Sequence, residues 1–397
     1  MTHWVVVGGG SAGCVVARRL ADTPGHRVTL IEAGSVWSRD ERRSASFFDA
    51  LGEPGRVFPG SFVRGRGLGG SSAVNGMLAT PGDARQYESW GWLDAPAALD
   101  RVLVPRELPG GDELGPLDRA LLAAAPDAAL APLTQRGRHR VTSADAYLAT
   151  HPADLEIVTD ATVAAVTHDG RRARGVVLAD GTTVEGDAVV VAAGAIGSPA
   201  LLARSGVEVA GLGDGLRNHP AVPVTVTLAR GVEVDAHGLV TASLLHRGDI
   251  QVLPLNHLGP ASDGVAMLLV VLMTPTGRGQ VGAGADEPAV EVEVEVEVSD
   301  DDRRRLSDGV ELARELLAHQ AFRSLATDVS VGEPPAGVFH ATSTCAMGRV
   351  VDGGGAVIGY RDLYVVDASV FPDIPATNPH LPTLMLAERM AARLATA

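Results

Sequence analysis

The sequence predicts an α/β fold built on a parallel sheet, joined to an α+β part with a second sheet. Three observations predict it. A continuous apolar run, "WVVV", meets the glycine-dense "GGGSAGC" and then the helically spaced "VVARRLADTP". A second apolar run, "RVTLIEAG", follows within the length of one βαβ unit. Far downstream, "AVEVEVEVEV" alternates strictly up to Val298, as a strand with one solvated face does.

The first strand is apolar without alternation because parallel strands are covered on both faces. Its helix ends at Pro24. Between them, Gly8-x-Gly10-x-x-Gly13 permits a tight turn and lets backbone approach a pyrophosphate. Ser11 and Ala12 open the helix, whose N-terminus favours an anion. Glu32 ends the second strand, followed by Ala33, and can accept from a ribose hydroxyl. These features predict a Rossmann-like dinucleotide site and serve NAD or FAD equally.

A second glycine-dense stretch, "SFVRGRGLGGSSAVNGM", runs to Met77. Residues 90–142 are rich in Pro, Ala and Leu and read as a short helical linker or lid. Residues 155–191 alternate strand-like pieces with Asp-Gly turns, as an antiparallel meander would. In the alternating strand, Glu291, Glu293, Glu295 and Glu297 form a row on one face. A row is a solvated sheet face, since a cation site needs converging oxygens, so no metal is expected. "DDDRRRLSDGVELARELLAHQ" then reads as a helix with acids at its N-terminal end.

The 397 residues suffice for two or three domains. Every one of the 33 basic residues is arginine, and the net charge of −15 argues against nucleic acid or an anionic membrane as partner. Cys14 and Cys345 make neither a metal spacing nor a disulfide framework. The longest apolar run, near Met267–Met273, is too short to span a bilayer, and Met1 leads directly into the first strand. A cytoplasmic protein without membrane insertion is the expectation.

Five segments in order resemble the glucose-methanol-choline (GMC) family of FAD-dependent oxidoreductases. They are the N-terminal glycine turn, "GRGLGGSSAVNGM", "GAIGSPALLARSGV", "HATSTCAMG" and "VVDASVFPDIPATNPHLPTLMLAERMA". The resemblance implies a discontinuous FAD-binding domain, 1–220 with 341–397, and an inserted sheet-based substrate domain, 221–340, which the alternating strand would join. It further implies that Gly67, Gly69, Gly70 and Ser71 lay amides along the diphosphate, and that Asn75, Gly76 and Met77 pass the isoalloxazine edge. Val163 would read the adenine, Asp367 and Ala368 would lie near the ribityl and phosphate groups, and Pro379, His380 and Leu381 would approach the flavin. Val74 stands where some members carry a flavin-linking histidine, so the FAD would be non-covalent. The chain is short for the family, with the loss between the first signature and about Thr142 and in the substrate domain.

Alcohol oxidation by a flavin needs a base for the hydroxyl proton, and histidine titrates in the right range. His340 matches the family's catalytic histidine, and His380 matches the partner position that hydrogen-bonds the same oxygen. His219, in "RNHP", resembles a "DHP" segment with Asn218 in place of the acid, and reads as structural or cofactor-adjacent. Pro382 is expected to begin the last helix, and Cys345 to serve packing. The implied substrate is a small-molecule alcohol, or a bulky or peptide-derived reduced redox cofactor such as mycofactocin, with the electron acceptor unspecified. A hydroxynitrile-lyase-like carbon–carbon lyase that keeps a non-redox FAD is the alternative.

Overall fold

The computed structural model describes residues 1–37, 45–60, 62–262, 264–282, 294–332 and 336–396. In its first half, the elements that place the site are β1 (Thr2–Val7), α1 (Ser11–Ala21), β2 (His26–Ile31), α2 (Pro116–Ala124), β3 (Leu155–Val158), β4 (Val163–Asp169), β5 (Arg172–Leu178), β6 (Thr183–Glu185), β7 (Ala188–Val191) and α3 (Gly194–Arg204). In its second half they are β8 (Pro220–Leu228), β9 (Ser243–Arg247), β10 (Ile250–Leu255), β11 (Val265–Leu272), α4 (Asp300–Leu317), β12 (Ala326–Val331), β13 (Leu363–Val365) and α5 (His380–Leu394).

β1 lies at the centre of a five-stranded sheet of order β13-β7-β1-β2-β3, and all its pairings are parallel. Val5, Val6, Val189 and Val190 are fully buried, so the unalternated valine runs match a sheet covered on both faces. The expected 155–191 meander is narrower than its sequence pattern. β4, β5 and β6 form an antiparallel three-stranded sheet, while the flanking β3 and β7 belong to the parallel sheet. The fully buried "AVVV" of β7 carries the parallel pattern that distinguishes it.

A second sheet is antiparallel, with β12-β8-β11-β10-β9 extended by Ala129–Leu130 and, beside β8, by Ala336–Gly337. α4 covers one face of it through Leu306, Val310, Ala313 and Leu317, packed with Val224, Val252, Leu268 and Val270. Its N-terminus is capped by Ser299, whose hydroxyl accepts from the Asp302 amide, and three aspartates fill its first turn. The 90–142 stretch contributes α2, whose Leu117 and Leu121 enter that same core.

The alternating segment falls largely outside the described residues, Glu291 and Glu293 among them. The part that is described, Val294–Val296, pairs with Gly279–Val281 in a separate three-stranded sheet completed by Asp214–Leu216, and so does not join the larger antiparallel sheet. The last helix also begins earlier than expected. It starts at His380, with Pro382 inside the first turn, where a missing N–H costs no intrahelical bond. α5 packs beside α1, where Arg19 donates to Glu388 at 2.8 Å and the Tyr147 hydroxyl donates to the same buried carboxylate at 2.7 Å.

Two glycines of the first turn differ in what surrounds them. A Cβ at Gly13 would lie 1.8 Å from the Gly8 carbonyl oxygen, whereas one at Gly10 would meet nothing within 4 Å. Gly13→Ala is therefore expected to cost at least about 1–3 kcal/mol through overpacking, read as a lower denaturant midpoint. In ligand-free protein, Gly10→Ala should leave that midpoint unchanged. Equal midpoints for the two variants would contradict this packing.

Candidate active site

A cavity of about 760 Å³ opens between the two large sheets, in the size range of cofactor and substrate sites. Its parallel-sheet side is mostly backbone. Gly8, Gly10, Ser11 and Ala12 line it from the β1–α1 turn, and Glu32 and Ala33 from the end of β2. Gly70, Ser71, Asn75, Gly76 and Met77 come from the second glycine stretch, and Val163 from the start of β4. Asp367, Ala368, Pro379 and His380 close it from the C-terminal segment, opposite His340. Gly13, Gly67, Gly69 and Leu381 are not on the wall; Leu381 is fully buried in the core beneath it.

Glu32 organises the glycine loops. Its Oε2 accepts from the Gly9 amide at 2.8 Å, and its Oε1 accepts from Gly34 at 2.9 Å and Gly67 at 3.0 Å. Burial pushes this carboxyl above its usual range, and the three amides pull it back. Beyond the ribose contact that the sequence reading gave it, Glu32 has protein partners, all of them backbone amides. The Gly69 amide donates to the Gly9 carbonyl at 2.7 Å, and a Cβ on Gly70 would sit 2.7 Å from the Gly10 Cα. The two glycine segments thus touch backbone to backbone, which no larger residue at position 70 permits.

Asp367 plays a matching part on the other side of the sheet. Its carboxylate accepts from the Gly194 amide at 2.9 Å, from the Ser369 amide at 2.8 Å and from the Ser198 hydroxyl. It thereby fixes the start of α3 to the segment after β13. Asn75 accepts through Oδ1 from the Met77 amide at 3.0 Å and from Arg140 at 2.7 Å. Met77 itself has φ of +62°, a left-handed conformation that a non-glycine residue adopts only when its surroundings impose it.

His340 and His380 line the same cavity without bonding each other among the described residues. The His340 amide donates to Asn218 Oδ1 at 2.7 Å, and its Nδ1 lies 2.9 Å from Nδ1 of His219. His219 is completely buried, with Nε2 3.2 Å from the Met273 carbonyl and 3.1 Å from that of Pro375. Nδ1 of His380 lies 3.2 Å from the Ser11 hydroxyl, while its Nε2 is buried with no partner among the described residues. Burial pushes His340 down to about 3 and His380, helped by nearby Arg140, to about 4. Both imidazoles are neutral at ordinary pH.

Sequence reasoning placed His219 near the site but missed its contact with His340. It passed over Asn378, which lines the cavity while its Oδ1 accepts from Gln251 at 3.3 Å. Nothing in the local sequence marks Gln251, because the pairing of β10 with β11 brings it there. Cys14 and Cys345 are both buried, and burial raises both thiols, which suits packing rather than nucleophilic chemistry. Among the described residues no cluster of metal-ligating side chains occurs and no helix is long and apolar enough to cross a membrane.

Comparison with known proteins settles the lineage. Residues 123–221 and 275–387 match the two family models described as GMC oxidoreductase, and residues 6–42 match an NAD(P)-binding Rossmann-like domain. The chain belongs to the GMC oxidoreductases. It is an oxidoreductase of a family that depends on FAD. It is 30% identical to an uncharacterized GMC-type oxidoreductase of Rhodococcus erythropolis, over 98% of each chain. It is 28% identical to an oxygen-dependent choline dehydrogenase of Pseudomonas fluorescens, over 98% of this chain and 93% of the relative. That second alignment runs over 529 positions against 397 residues here, so the relative carries segments that this chain lacks. In fold it matches pyridoxine 4-oxidase from "Mesorbium loti" with a TM-score of 0.90, 24% identity and all of both chains covered. It matches formate oxidase with a TM-score of 0.88 and 19% identity, covering all of this chain and 98% of the other.

Removing the Glu32 carboxylate should loosen three loops together. Glu32→Ala is expected to cost about 1–3 kcal/mol for each amide left without an acceptor. Hydrogen exchange should show Gly9, Gly34 and Gly67 losing protection together while Val189 and Val190 at the sheet centre keep theirs. Unchanged protection at Gly67 would show that the second loop does not hang on this carboxylate.

Proposed function

We propose that this protein oxidises the CH–OH group of an uncharged, apolar alcohol to the carbonyl, using non-covalently held FAD. The observation that carries the substrate class is the pair of strands β10 and β11, "IQVLPL" and "VAMLLVVL", which are apolar on both faces except at Gln251. Val252, Leu268, Val270 and Leu272 face the core under α4, while Leu253, Leu255, Leu269 and Val271 line the cavity. Those four residues alternate along neighbouring strands in register, Leu253 opposite Leu269, and so make one continuous aliphatic wall. Apolar surface turned toward a cavity is stabilised only by an apolar occupant. Among the described residues, the carboxylates on the wall are Glu32 and Asp367, and both are already engaged by backbone amides.

The residues present fit the cofactor. Gly10 and Gly76 line the cavity with open space where a Cβ would stand, so ligand can come against backbone there. The N-terminus of α1 offers unpaired amides for a diphosphate beside Gly8, Gly10, Ser11 and Ala12. Gly70 and Ser71 would hold the same group from the second loop, and Gly67, Gly69, Gly13 and Leu381 would shape the wall from behind. Glu32, Ala33 and Val163 would bound the adenosine end. Asn75, Gly76, Met77, Asp367, Ala368, Pro379 and His380 would bound the flavin end. Val74, on the wall, has no group that could bond to the ring. In this reading the FAD-binding part comprises 1–220 with 341–397 and the substrate part 221–340.

Bound FAD supplies the ring that accepts the carbinol hydride. His340 takes the hydroxyl proton, and His380 and Asn378 supply hydrogen-bonding groups to the substrate oxygen. His380 has a ring nitrogen without a partner, and Asn378 has its carbonyl oxygen occupied by Gln251, which leaves its NH₂ free to donate.

Purified holoprotein mixed anaerobically with an alcohol should lose its flavin absorbance. The expected order is medium-chain and benzylic alcohols first and choline last, with reduced peptide-derived carriers as a further arm. His340→Asn should slow bleaching by roughly the hundred- to ten-thousand-fold that a general base contributes. Faster reduction by choline would overturn the substrate class. A flavin band that no donor bleaches would favour the lyase-like chemistry.

The pH profile follows from the burial of His340. A lowered pKa means the neutral, proton-accepting form persists as pH falls below 6.5, the ordinary histidine value. The acid limb of kcat/KM assigned to this group should therefore lie below 6.5. A limb at or above that value would count against His340 as the base.

A further inference from the structure

We infer that His219 is a positioning residue that fixes the tautomer of His340, leaving the His340 lone pair on Nε2 for the substrate hydroxyl. This rests on the reading of His340 as proton acceptor given above. Hydrogen-bond parity leads from two backbone carbonyls to the cavity. His219 Nε2 lies within 3.2 Å of both the Met273 and Pro375 carbonyl oxygens, which only accept, so Nε2 carries a hydrogen. Complete burial holds this ring well below the ordinary histidine range and therefore neutral. A neutral imidazole protonated at Nε2 presents a lone pair at Nδ1.

That lone pair faces His340 Nδ1 at 2.9 Å, with the two rings at 88°. Two lone pairs at that separation would repel, so His340 Nδ1 carries the hydrogen and donates it to His219. The remaining nitrogen of neutral His340, Nε2, is then unprotonated. It makes no hydrogen bond to protein among the described residues, and its ring lines the cavity. An unrestrained neutral histidine prefers the opposite tautomer, with the hydrogen on Nε2, which would point a donor at the substrate. His219 reverses that preference.

The neighbouring Asn218 grips the other end of the residue by accepting from the His340 amide at 2.7 Å. One dipeptide before β8 therefore fixes both the backbone and the ring of His340. As the substrate O–H bond breaks, its proton forms the Nε2–H bond of His340, while bound FAD would take the carbinol hydride. The His340 Nδ1–H···Nδ1 bond then becomes charge-assisted and stronger. His219 supports the transfer without changing its own protonation.

The test is ¹⁵N NMR of holoprotein labelled in the histidine rings, with the His340 signals assigned by their loss in His340→Asn. The expected result is a protonated Nδ1 and an unprotonated Nε2 on His340, with the reverse on His219. A hydrogen on His340 Nε2 in the unmodified protein would overturn the inference without any variant. His219→Leu, which removes the acceptor, should shift His340 toward the Nε2–H tautomer. It should also slow flavin reduction by roughly ten- to a hundred-fold, part of what a general base contributes, with little change in KM. His219→Asn, whose carbonyl oxygen can stand in for Nδ1, should restore the tautomer and most of the rate. Flavin reduction at full rate in His219→Leu with the tautomer switched would refute the positioning role. If the unmodified protein shows the expected tautomer but His340→Asn reduces flavin normally, the catalytic reading of His340 fails while the assignment of the proton stands.

Discussion

The site depends on one buried carboxylate satisfied entirely by backbone. Taking Glu32 out of water is costly, and the fold offsets that cost with amides from Gly9, Gly34 and Gly67. Those amides come from three separate stretches, so satisfying the charge obliges the stretches to meet. Once they do, Gly69 reaches the Gly9 carbonyl and Gly70 fits against Gly10. The glycines let the chain come close enough, and the carboxylate makes it stay. A cavity floor built this way presents amide edges and Cα atoms, a surface without side chains that suits a long polar ligand.

The same economy appears on the C-terminal side. Asp367 gathers two amides and a hydroxyl around the start of α3. The two histidines near the substrate end are held by different means. His380 is set by its place at the head of α5 beside Ser11. His340 has no helix to hold it, and depends on Asn218 and His219, residues more than a hundred positions earlier in the chain.

Much of this was legible in the chain. The "WVVV–glycine–helix" opening, the unalternated buried strands and the two glycine stretches each depend on local chemistry, and each stands where its pattern placed it. Of the residues expected at the site, all but Gly13, Gly67, Gly69 and Leu381 line one cavity, and those four stand behind it, because short motifs carry their own geometry. The failures have a different origin. The "EVEVEVEV" alternation tells which face of a strand is wet, not which strand lies beside it, and its described end pairs with Gly279–Val281. The part Glu32 plays in holding three loops was not legible, because the backbone amides that it accepts from belong to residues whose side chains say nothing. The facing of His219 and His340 is set by pairing between distant strands, for which neither segment carries a signal.

The strand order β13-β7-β1-β2-β3 has a consequence for how the protein is made. Its edge strand β13, the wall segment at Asp367 and the helix α5 that packs on α1 all belong to the last tenth of the chain. A ribosome has long since released β1 and β2 when these pieces emerge. Through most of synthesis, therefore, α1 waits with an uncovered apolar flank, and β7 waits with an unpaired edge. Such surfaces are the ones that chaperones bind and that drive aggregation of partly made chains. The two sides of the cavity can meet only after that segment has emerged, and a ligand that bridges them gains its full grip only then.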